Sequence, residues 1–572
     1  MSIETTLVYN KSNPFGIKAD AAILEGLLGK CRHADRLEPP MPTDVCIHLE
    51  MPSTTWMPWA RKNVLMMNPE WWVPAWDVLL PRFDLVLVKT RGITDLSGAT
   101  YVPWRPSVTV NSFSDMARVN MIDVGCLWLL GGSVNKRAAA QAIAPLWKAE
   151  YPPVYIYTTT ILDLSGAGQN VHVIVADLDE TMRRTFQAHY PVHLAISRSE
   201  GFGLAAAEAE AAGAYIIANT IPAYTTAFEG QRNIGWVRTP TVPAPTYTRA
   251  EFADFSGSAE MSADLDRIFA ELRTIDVRTV REEQQDAAKA RAQAFETVCA
   301  PLFKTLHASI KGSRPVLPPI VSIEDCPPIS IVTLTYNRRK FIDVAFHNIL
   351  MCDYPKDKIE WVVVDDSDNQ EESVSDKIAT FAKRAPVAQV VYIPLGNTYT
   401  VGGKRNIGVE RAKNEIILFM DDDDHYPATS FRRRISWLLA HPWKPKAVAC
   451  STIACYDLVK GVSAVNTPPW ELSPAQRISE ATLAFYKSFW KEQKFPFINT
   501  SEGEGFLQGR EQYLLDMPPQ QILVAFSHQG NTSGRRIPVA ADTKPGCFWG
   551  FPKEYLVWIH KLAGIEVEEE TS

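Results

Sequence analysis

Short apolar runs recur along the first half of the chain, each followed by a polar or glycine-rich turn and a helical stretch. They are CIHL (46–49), NVLMM (63–67), FDLVLV (83–88), LWLLGG (127–132), PVYIYT (153–158), VHVIVAD (171–177), HLAIS (193–197) and YIIAN (215–219). Most are continuous rather than alternating, the pattern of strands buried on both faces of a parallel sheet. Alternation with helices predicts doubly wound α/β layers. Two layers fit, over residues 1–125 and 126–310, the second closed by a charged helical stretch over 277–310. Residues 311–327, KGSRPVLPPIVSIEDCP, are Pro-rich and read as an extended linker. A third α/β unit is predicted over 328–555, with strands ISIVTLTY (329–336), IEWVVVDD (359–366), VVYIPL (390–395) and EIILFM (415–420). Past about residue 430 the pattern turns irregular and rich in Trp, Tyr and Pro, which suits a substrate-binding half of loops and helices. A C-terminal helix and tail complete the chain over 556–572.

Composition narrows the function classes. The 572 residues are 46% hydrophobic and 22% charged, with a formal net charge of -7, which argues against a nucleic-acid partner. No window approaches the roughly 18 apolar residues of a membrane span. The start, MSIETTLVYNKSNPF, lacks a basic segment followed by an apolar run, so no secretory leader is predicted. A soluble, cytoplasmic protein is expected. The nine cysteines are odd in number and none has Cys-x-x-Cys spacing, which suggests neither a zinc site nor a disulfide framework. Oligomeric state is not legible.

The candidate chemistry lies where strands end, because an open α/β sheet binds ligands beyond its carboxyl edge. After the first strand of the third unit come Thr335, Tyr336, Asn337 and Arg338; after the second, Asp365 and Asp366; after the fourth, Asp421, Asp422, Asp423 and Asp424, then His425. Four adjacent carboxylates repel one another unless solvated or neutralised, and a hard divalent cation such as Mg²⁺ or Mn²⁺ prefers oxygen ligands of this kind. A plain acidic helix cap is the competing reading. The combination resembles the GT-A fold of glycosyltransferase family 2 over about 230 residues, 328 to roughly 555. The resemblance implies that Thr335, Tyr336, Asn337 and Arg338 meet the nucleotide and that Asp365 and Asp366 read the nucleobase. It implies that Lys404, Arg405 and Asn406 of GGKRNIG contact the donor. It makes Asp421 and Asp423 the Asp-x-Asp metal motif, with Asp422 facing the donor and Asp424 an alternative ligand. The family's base is a carboxylate further on. In TSEGEGFLQGRE (500–511), read as a loop with close backbone approach, Glu504 is favoured and Glu502 stands second. His528 is a candidate further metal ligand, and Arg535 and Arg536 are candidates for holding diphosphate.

In the first half, SRSEGFGLAAAEAEAAGAYIIAN (197–219) follows a strand and opens a helix-favouring stretch. Gly201 and Gly203, flanking Phe202, allow a ligand close to the backbone at a helix N-terminus, where amides favour a diphosphate. Glu200 in the loop and Glu208 in the helix suit a sugar and ribose hydroxyls. The string resembles glycosyltransferase family 4, of the GT-B fold, over about 310 residues. That resemblance implies twin Rossmann-like lobes, Lys136 as a phosphate-binding lysine with Ser133 at the usual arginine position, and Gly16 in the loop that touches donor and acceptor. Five Trp (56, 59, 71, 72, 76) suit either core or sugar stacking, and His48 either core or cleft. Together the two resemblances imply a bifunctional glycosyltransferase using UDP- or GDP-sugars and a glycan acceptor. The C-terminal site would be inverting and metal-dependent (Mn²⁺ or Mg²⁺), the N-terminal site retaining and metal-independent. The alternative is a single C-terminal transferase with a non-catalytic binding half.

Overall fold

Mostly apolar runs of three to eight residues build the sheets of this protein. The computed structural model describes residues 3–13, 16–91, 96, 98–110, 124–244, 248–311, 320–528, 531 and 549–565. Arg535 and Arg536 lie outside the described residues. The chain divides into two units, Met1–Arg314 and Pro315–Ser572.

The first unit holds two six-stranded sheets in which every pairing is parallel. One is built from β1 (Thr5–Tyr9), β2 (Arg32–Asp35), β3 (Thr43–Glu50), β4 (Ala60–Met67), β5 (Leu85–Val88) and β6 (Ala99–Tyr101), in the order β2-β1-β3-β4-β5-β6. The other comprises β7 (Cys126–Gly131), β8 (Val154–Thr158), β9 (Val171–Val175), β10 (Val192–Ala195), β11 (Tyr215–Asn219) and β12 (Ile234–Val237), in the order β9-β8-β7-β10-β11-β12. The strand order of this second sheet reverses between β7 and β10, and such a switch point opens a crevice at the carboxyl edge. A small pair, β13 (Thr241–Pro243) with β14 (Glu251–Ala253), is antiparallel.

The stretch read as a charged helix is one, Val277–Ala308. Its Val280 joins the core of the second sheet, whereas Phe295, Cys299, Phe303 and Leu306 share a core with Leu7, Ile47 and Met66 of the first. The Ala-rich helix Leu204–Ala212 is buried from Ala206 onward, since methyl side chains let neighbours approach closely. Its Glu210 accepts from Arg291 Nε at 2.7 Å, a pair whose side chains are 0% and 8% exposed. One expected buried strand differs: β9 is an edge strand, with Val173 and Val175 exposed. Of the five Trp, four are buried and only Trp71 reaches solvent. His48 is fully buried between Asn63 Oδ1 and the Ser53 amide, and burial pushes its pKa down to about 4. The eight described cysteines are buried and none is joined in a disulfide with another of them.

The second unit carries β15 (Ile329–Thr335), β16 (Ile359–Asp365), β17 (Gln389–Pro394), β18 (Ile416–Phe419), β19 (Ala447–Cys450), β20 (Ile453–Asp457), β21 (Val462–Asn466), β22 (Ser479–Tyr486), β23 (Leu514–Asp516) and β24 (Val524–Ser527). A seven-stranded sheet runs β17-β16-β15-β18-β22-β19-β23, and β21-β20-β24 form a smaller one. The region past residue 430 is therefore more regular than its pattern predicts. It supplies three strands of the main sheet, with β22 antiparallel to β18 and β19. The helix Lys553–Leu562 begins three residues before the expected boundary at 556. Among the described residues, no helix is long and apolar enough to cross a membrane.

Candidate active site

The parallel strands β15, β16 and β18 deliver their carboxyl ends to one edge of the main sheet. At the end of β15, Asn337 adopts a left-handed conformation (φ 50°), which Asn tolerates better than most residues. Its amide donates to Ser367 Oγ at 2.8 Å and its Nδ2 to Asp368 Oδ1 at 2.7 Å, while Tyr336 donates to Asp368 Oδ2 at 2.9 Å. Thr335 is buried one register step away, opposite Asp365.

The adjacent aspartates at the end of β16, Asp365 within it and Asp366 just beyond, part company. Asp365 accepts from the Ser367 amide (2.9 Å) and from Tyr392 (2.7 Å), which ties it into the protein. Asp366 accepts from the Tyr399 amide (3.0 Å) and from Lys404 Nζ (2.6 Å), with Lys404 lying over the Tyr336 ring. Lys404 belongs to the helix Val401–Arg411, whose N-cap Thr400 accepts from the Gly403 amide. Gly402 is obligatory there, because a Cβ would stand 1.8 Å from the Pro496 carbonyl oxygen. Asn406 faces inward, bonded to Trp490 and to the Phe495 backbone.

The acidic run follows β18. Asp422, Asp423 and Asp424 are buried and Asp421 is partly open. Oxygen atoms of Asp421, Asp423 and Asp424 lie within 4.8 Å of one another. Asp423 Oδ2 accepts from Arg338 Nη1 (2.7 Å) and lies 3.2 Å from His528 Nε2 and 3.3 Å from Asn531 Nδ2. Arg338 also donates to Asp422 Oδ1 at 3.0 Å. Burial alone would lower the Arg338 pKa, but Asp423 and Asp422 hold it above its ordinary value. Burial, with Asp423 beside it, raises the Asp422 carboxyl above its usual range despite Arg338. His528 is fixed by stacking on Phe341, with ring centroids 4.1 Å apart. Asp424 accepts the Phe526 amide through one oxygen.

The segment 500–511 is not the open loop its glycines suggest. Glu502–Leu507 is a short helix entered through Ser501 at φ 57°. Gly503 and Gly505 are needed for packing, since a Cβ at either would press on Glu480 or Pro496. Glu502 is buried and accepts from Arg405 Nε at 2.7 Å; Glu504 is partly open and accepts from Gln476 at 3.0 Å. Glu480 and Asn531 were not singled out by the sequence. Glu480 accepts the Gly503 amide, and burial beside Glu502 raises its pKa. No sequence motif marks either residue, because each reaches the site only through the tertiary fold.

In the first unit, Ser133 and Lys136 follow β7, and Glu200, Gly201, Phe202 and Gly203 follow β10, the two strands flanking the switch point. Ser133 caps the helix Val134–Ile143 by accepting the Lys136 amide, and Lys136 Nζ lies 3.6 Å from Glu200. Gly203 has φ 94°, and a Cβ there would meet the Tyr224 ring at 2.3 Å. Phe202 joins the core. Glu208 is buried and accepts from Gln187 at 2.7 Å. Gly16 lies where a Cβ would stand 2.7 Å from Leu204, at the start of the following helix of the second layer.

Residues 330–478 match the family model described as glycosyl transferase family 2, so the second unit carries a domain of that family. The chain is 26% identical over 113 residues to the putative teichuronic acid biosynthesis glycosyltransferase TuaG of Bacillus subtilis, covering 20% of this chain and 42% of the relative. It is 28% identical over 113 residues to the poly(ribitol-phosphate) beta-N-acetylglucosaminyltransferase TarS of Staphylococcus aureus, covering 20% and 19% respectively. The chain thus spans less than half the length of these curated relatives. Among solved structures, it is similar to a mannosyltransferase from Pyrobaculum calidifontis in complex with GDP-Man and Mn²⁺, with a TM-score of 0.29 and 19% identity over 39% of this chain and 64% of the other. It is also similar to TarS 1–349 in complex with UDP-GlcNAc, with a TM-score of 0.27 and 18% identity over 36% and 59%.

Proposed function

We propose that the C-terminal unit transfers a sugar from a nucleoside-diphosphate sugar to a hydroxyl of a glycan, with inversion at the anomeric carbon. The observation that carries this is the gathering, at one sheet edge, of the Asp366–Lys404 pair and the carboxylates of Asp421, Asp423 and Asp424. Three carboxylates with oxygens within 4.8 Å fit a hard divalent cation, with His528 beside Asp423 as a further ligand. A bound Mn²⁺ or Mg²⁺ supplies charge neutralisation for the leaving diphosphate. The remaining work belongs to the chain. Asp366, held by Lys404 and the Tyr399 amide, presents a fixed acceptor to the nucleotide, beside the Tyr336 ring. Arg338 places a permanent positive charge on the donor side of Asp422 and Asp423. Glu504, the more open of the two helix carboxylates, is the proposed base for the acceptor hydroxyl, and Glu502, locked to Arg405, positions that helix.

The N-terminal unit is proposed as a second, metal-independent donor site that retains configuration. The arrangement of Lys136, Glu200 and Gly203 around the switch point supports that reading. A non-catalytic binding half remains the second reading, favoured by Ser133, whose hydroxyl is spent on a helix cap. Release of nucleoside diphosphate from a panel of UDP- and GDP-sugars, with and without Mn²⁺, separates the two. Two activities, one abolished only by Asp423→Ala and one only by Glu208→Ala, are the expected result. A single activity insensitive to Glu208→Ala would leave the C-terminal transferase alone.

A further inference from the structure

Beneath the acidic run, two buried side chains stand between strands that the sheet joins elsewhere by backbone hydrogen bonds. β18 pairs antiparallel with β22 in the register Ile416↔Tyr486, Ile417↔Phe485 and Leu418↔Ala484. Continued past Leu418, that register brings Phe419 opposite Leu483 and Asp421 opposite Ala481. At the first of these rungs Arg434 Nη1 donates to both carbonyl oxygens, that of Phe419 at 2.8 Å and that of Leu483 at 3.3 Å. At the second, the Tyr426 hydroxyl accepts from the Asp421 amide at 2.9 Å and donates to the Ala481 carbonyl at 3.0 Å. A hydroxyl is thus inserted between an amide and a carbonyl that face each other across the two strands. On the other flank the chain stays in place, with the Met420 amide donating to the Val332 carbonyl of β15 at 3.1 Å. The strand therefore leaves β22 but not β15, at the residue that begins the acidic run.

Both side chains are held with little freedom. Tyr426 is 2% exposed and stacks on Phe431, with ring centroids 6.1 Å apart. Arg434, on the helix Ser430–Ala440, is 0% exposed. Its guanidinium lies 5.4 Å from the Tyr426 ring centroid and 5.2 Å from that of Phe431. Among the described residues no carboxylate forms an ion pair with it, and its Nε and Nη2 are buried with no hydrogen-bond partner. Burial lowers its pKa to about 10, so it keeps its charge at neutral pH. A buried guanidinium without an anion is costly, and an apolar side chain of similar volume would fill the space more cheaply. What the guanidinium adds is its hold on two carbonyls and on the face of the Tyr426 ring.

We propose that Tyr426 is a positioning residue for the cation site, with Arg434 as its support: the hydroxyl sets the backbone at Asp421, and so the place of that carboxylate relative to Asp423 and Asp424. The inference rests on the cation-site reading of these three aspartates, whose oxygens lie within 4.8 Å of one another. The same hydroxyl reaches β22 next to Glu480, which accepts the Gly503 amide of the helix bearing Glu504. One buried group ties the proposed metal ligand and the strand beneath the proposed base to a common point.

The test titrates the full chain with Mn²⁺ and follows the ion, free and bound, by electron paramagnetic resonance. Tyr426→Phe removes one oxygen and keeps the ring. It should weaken the tight site by about tenfold or more and alter the bound-ion spectrum, because groups that orient metal ligands carry that much of a metal's affinity. Arg434→Met should weaken it in the same direction. Tyr354→Phe is the structural control. It removes a comparably buried hydroxyl from the Pro327 carbonyl elsewhere in the unit and should leave affinity and spectrum unchanged. Unchanged affinity and spectrum in a folded Tyr426→Phe chain, or an equal loss of affinity in Tyr354→Phe, overturns the inference and leaves the cation site standing. If Tyr426→Phe does not fold, Arg434→Met decides by the same two readouts. Absence of a tight Mn²⁺ site from the unaltered chain removes the cation-site reading and the inference with it.

Discussion

The two units face the same electrostatic difficulty and meet it differently. Each places carboxyl groups at or beyond the carboxyl ends of parallel strands. In the C-terminal unit the carboxylates of Asp421, Asp423 and Asp424 converge within 4.8 Å, and Arg338 and His528 are already turned toward Asp423. In the N-terminal unit Glu50, Glu70 and Glu200 come from separate segments, and Lys136 lies 3.6 Å from Glu200. The first arrangement concentrates charge where a divalent cation would neutralise it. In the second, burial raises the Glu50 and Glu70 carboxyls above their ordinary range. Similar residue types thus meet different surroundings in the two units, a convergent trio in one and separate buried carboxyls in the other.

The contrast breaks most visibly at Asp423. Asp423→Ala should lower Mn²⁺-supported nucleoside diphosphate release by about 10³-fold or more, because it removes a proposed metal ligand and leaves Arg338 paired with Asp422. The same change should leave binding by the N-terminal unit untouched. Next in size, Glu504→Gln should cost about 10²–10⁴-fold in kcat with KM for the donor little changed. A larger loss from Glu502→Gln than from Glu504→Gln would transfer the base to Glu502. Smaller again is a stability effect confined to the first unit. Arg291→Ala leaves Glu210 buried without its cation and should destabilise that unit by about 3–5 kcal/mol in a denaturant titration, with the C-terminal activity unaffected below the transition.

The smallest effect is a pH dependence of the first unit. The Glu50 carboxyl sits at about 7 in the folded chain against about 4.5 when exposed. Over that interval the folded state holds a proton that the unfolded state has lost. Its contribution to stability is therefore full below about pH 4.5 and declines as pH rises toward about 7. Glu50→Gln should flatten that decline in thermal melts across the same range, and an unchanged slope would remove Glu50 as its source.

Much of the fold was legible because buried parallel strands are continuous apolar runs. That is why Ile359–Asp365 and Tyr215–Asn219 stand out. The rule failed where burial and composition part. The run at Val171–Val175 reads like its neighbours, yet lies at a sheet edge with Val173 and Val175 exposed. Past residue 430, β22 (SEATLAFY) mixes polar and apolar positions because it pairs antiparallel on both sides and carries Glu480 at its start. At the C-terminal site the acidic residues and the Lys404 segment were legible from their order along the chain. What was not legible is which of two neighbours faces the cleft. Asp365 turns to Tyr392 and Asp366 to Lys404, a choice made by strand register.

The central claim, that the carboxylates of Asp421, Asp423 and Asp424 hold a divalent cation while those of the N-terminal unit do not, is tested most directly by counting bound Mn²⁺. Titration of the full chain with Mn²⁺, followed by electron paramagnetic resonance of the free ion, should show one tight equivalent per chain. That equivalent should be lost in Asp423→Ala and kept in Glu200→Gln. Loss of the tight Mn²⁺ in Glu200→Gln with its retention in Asp423→Ala would contradict the account.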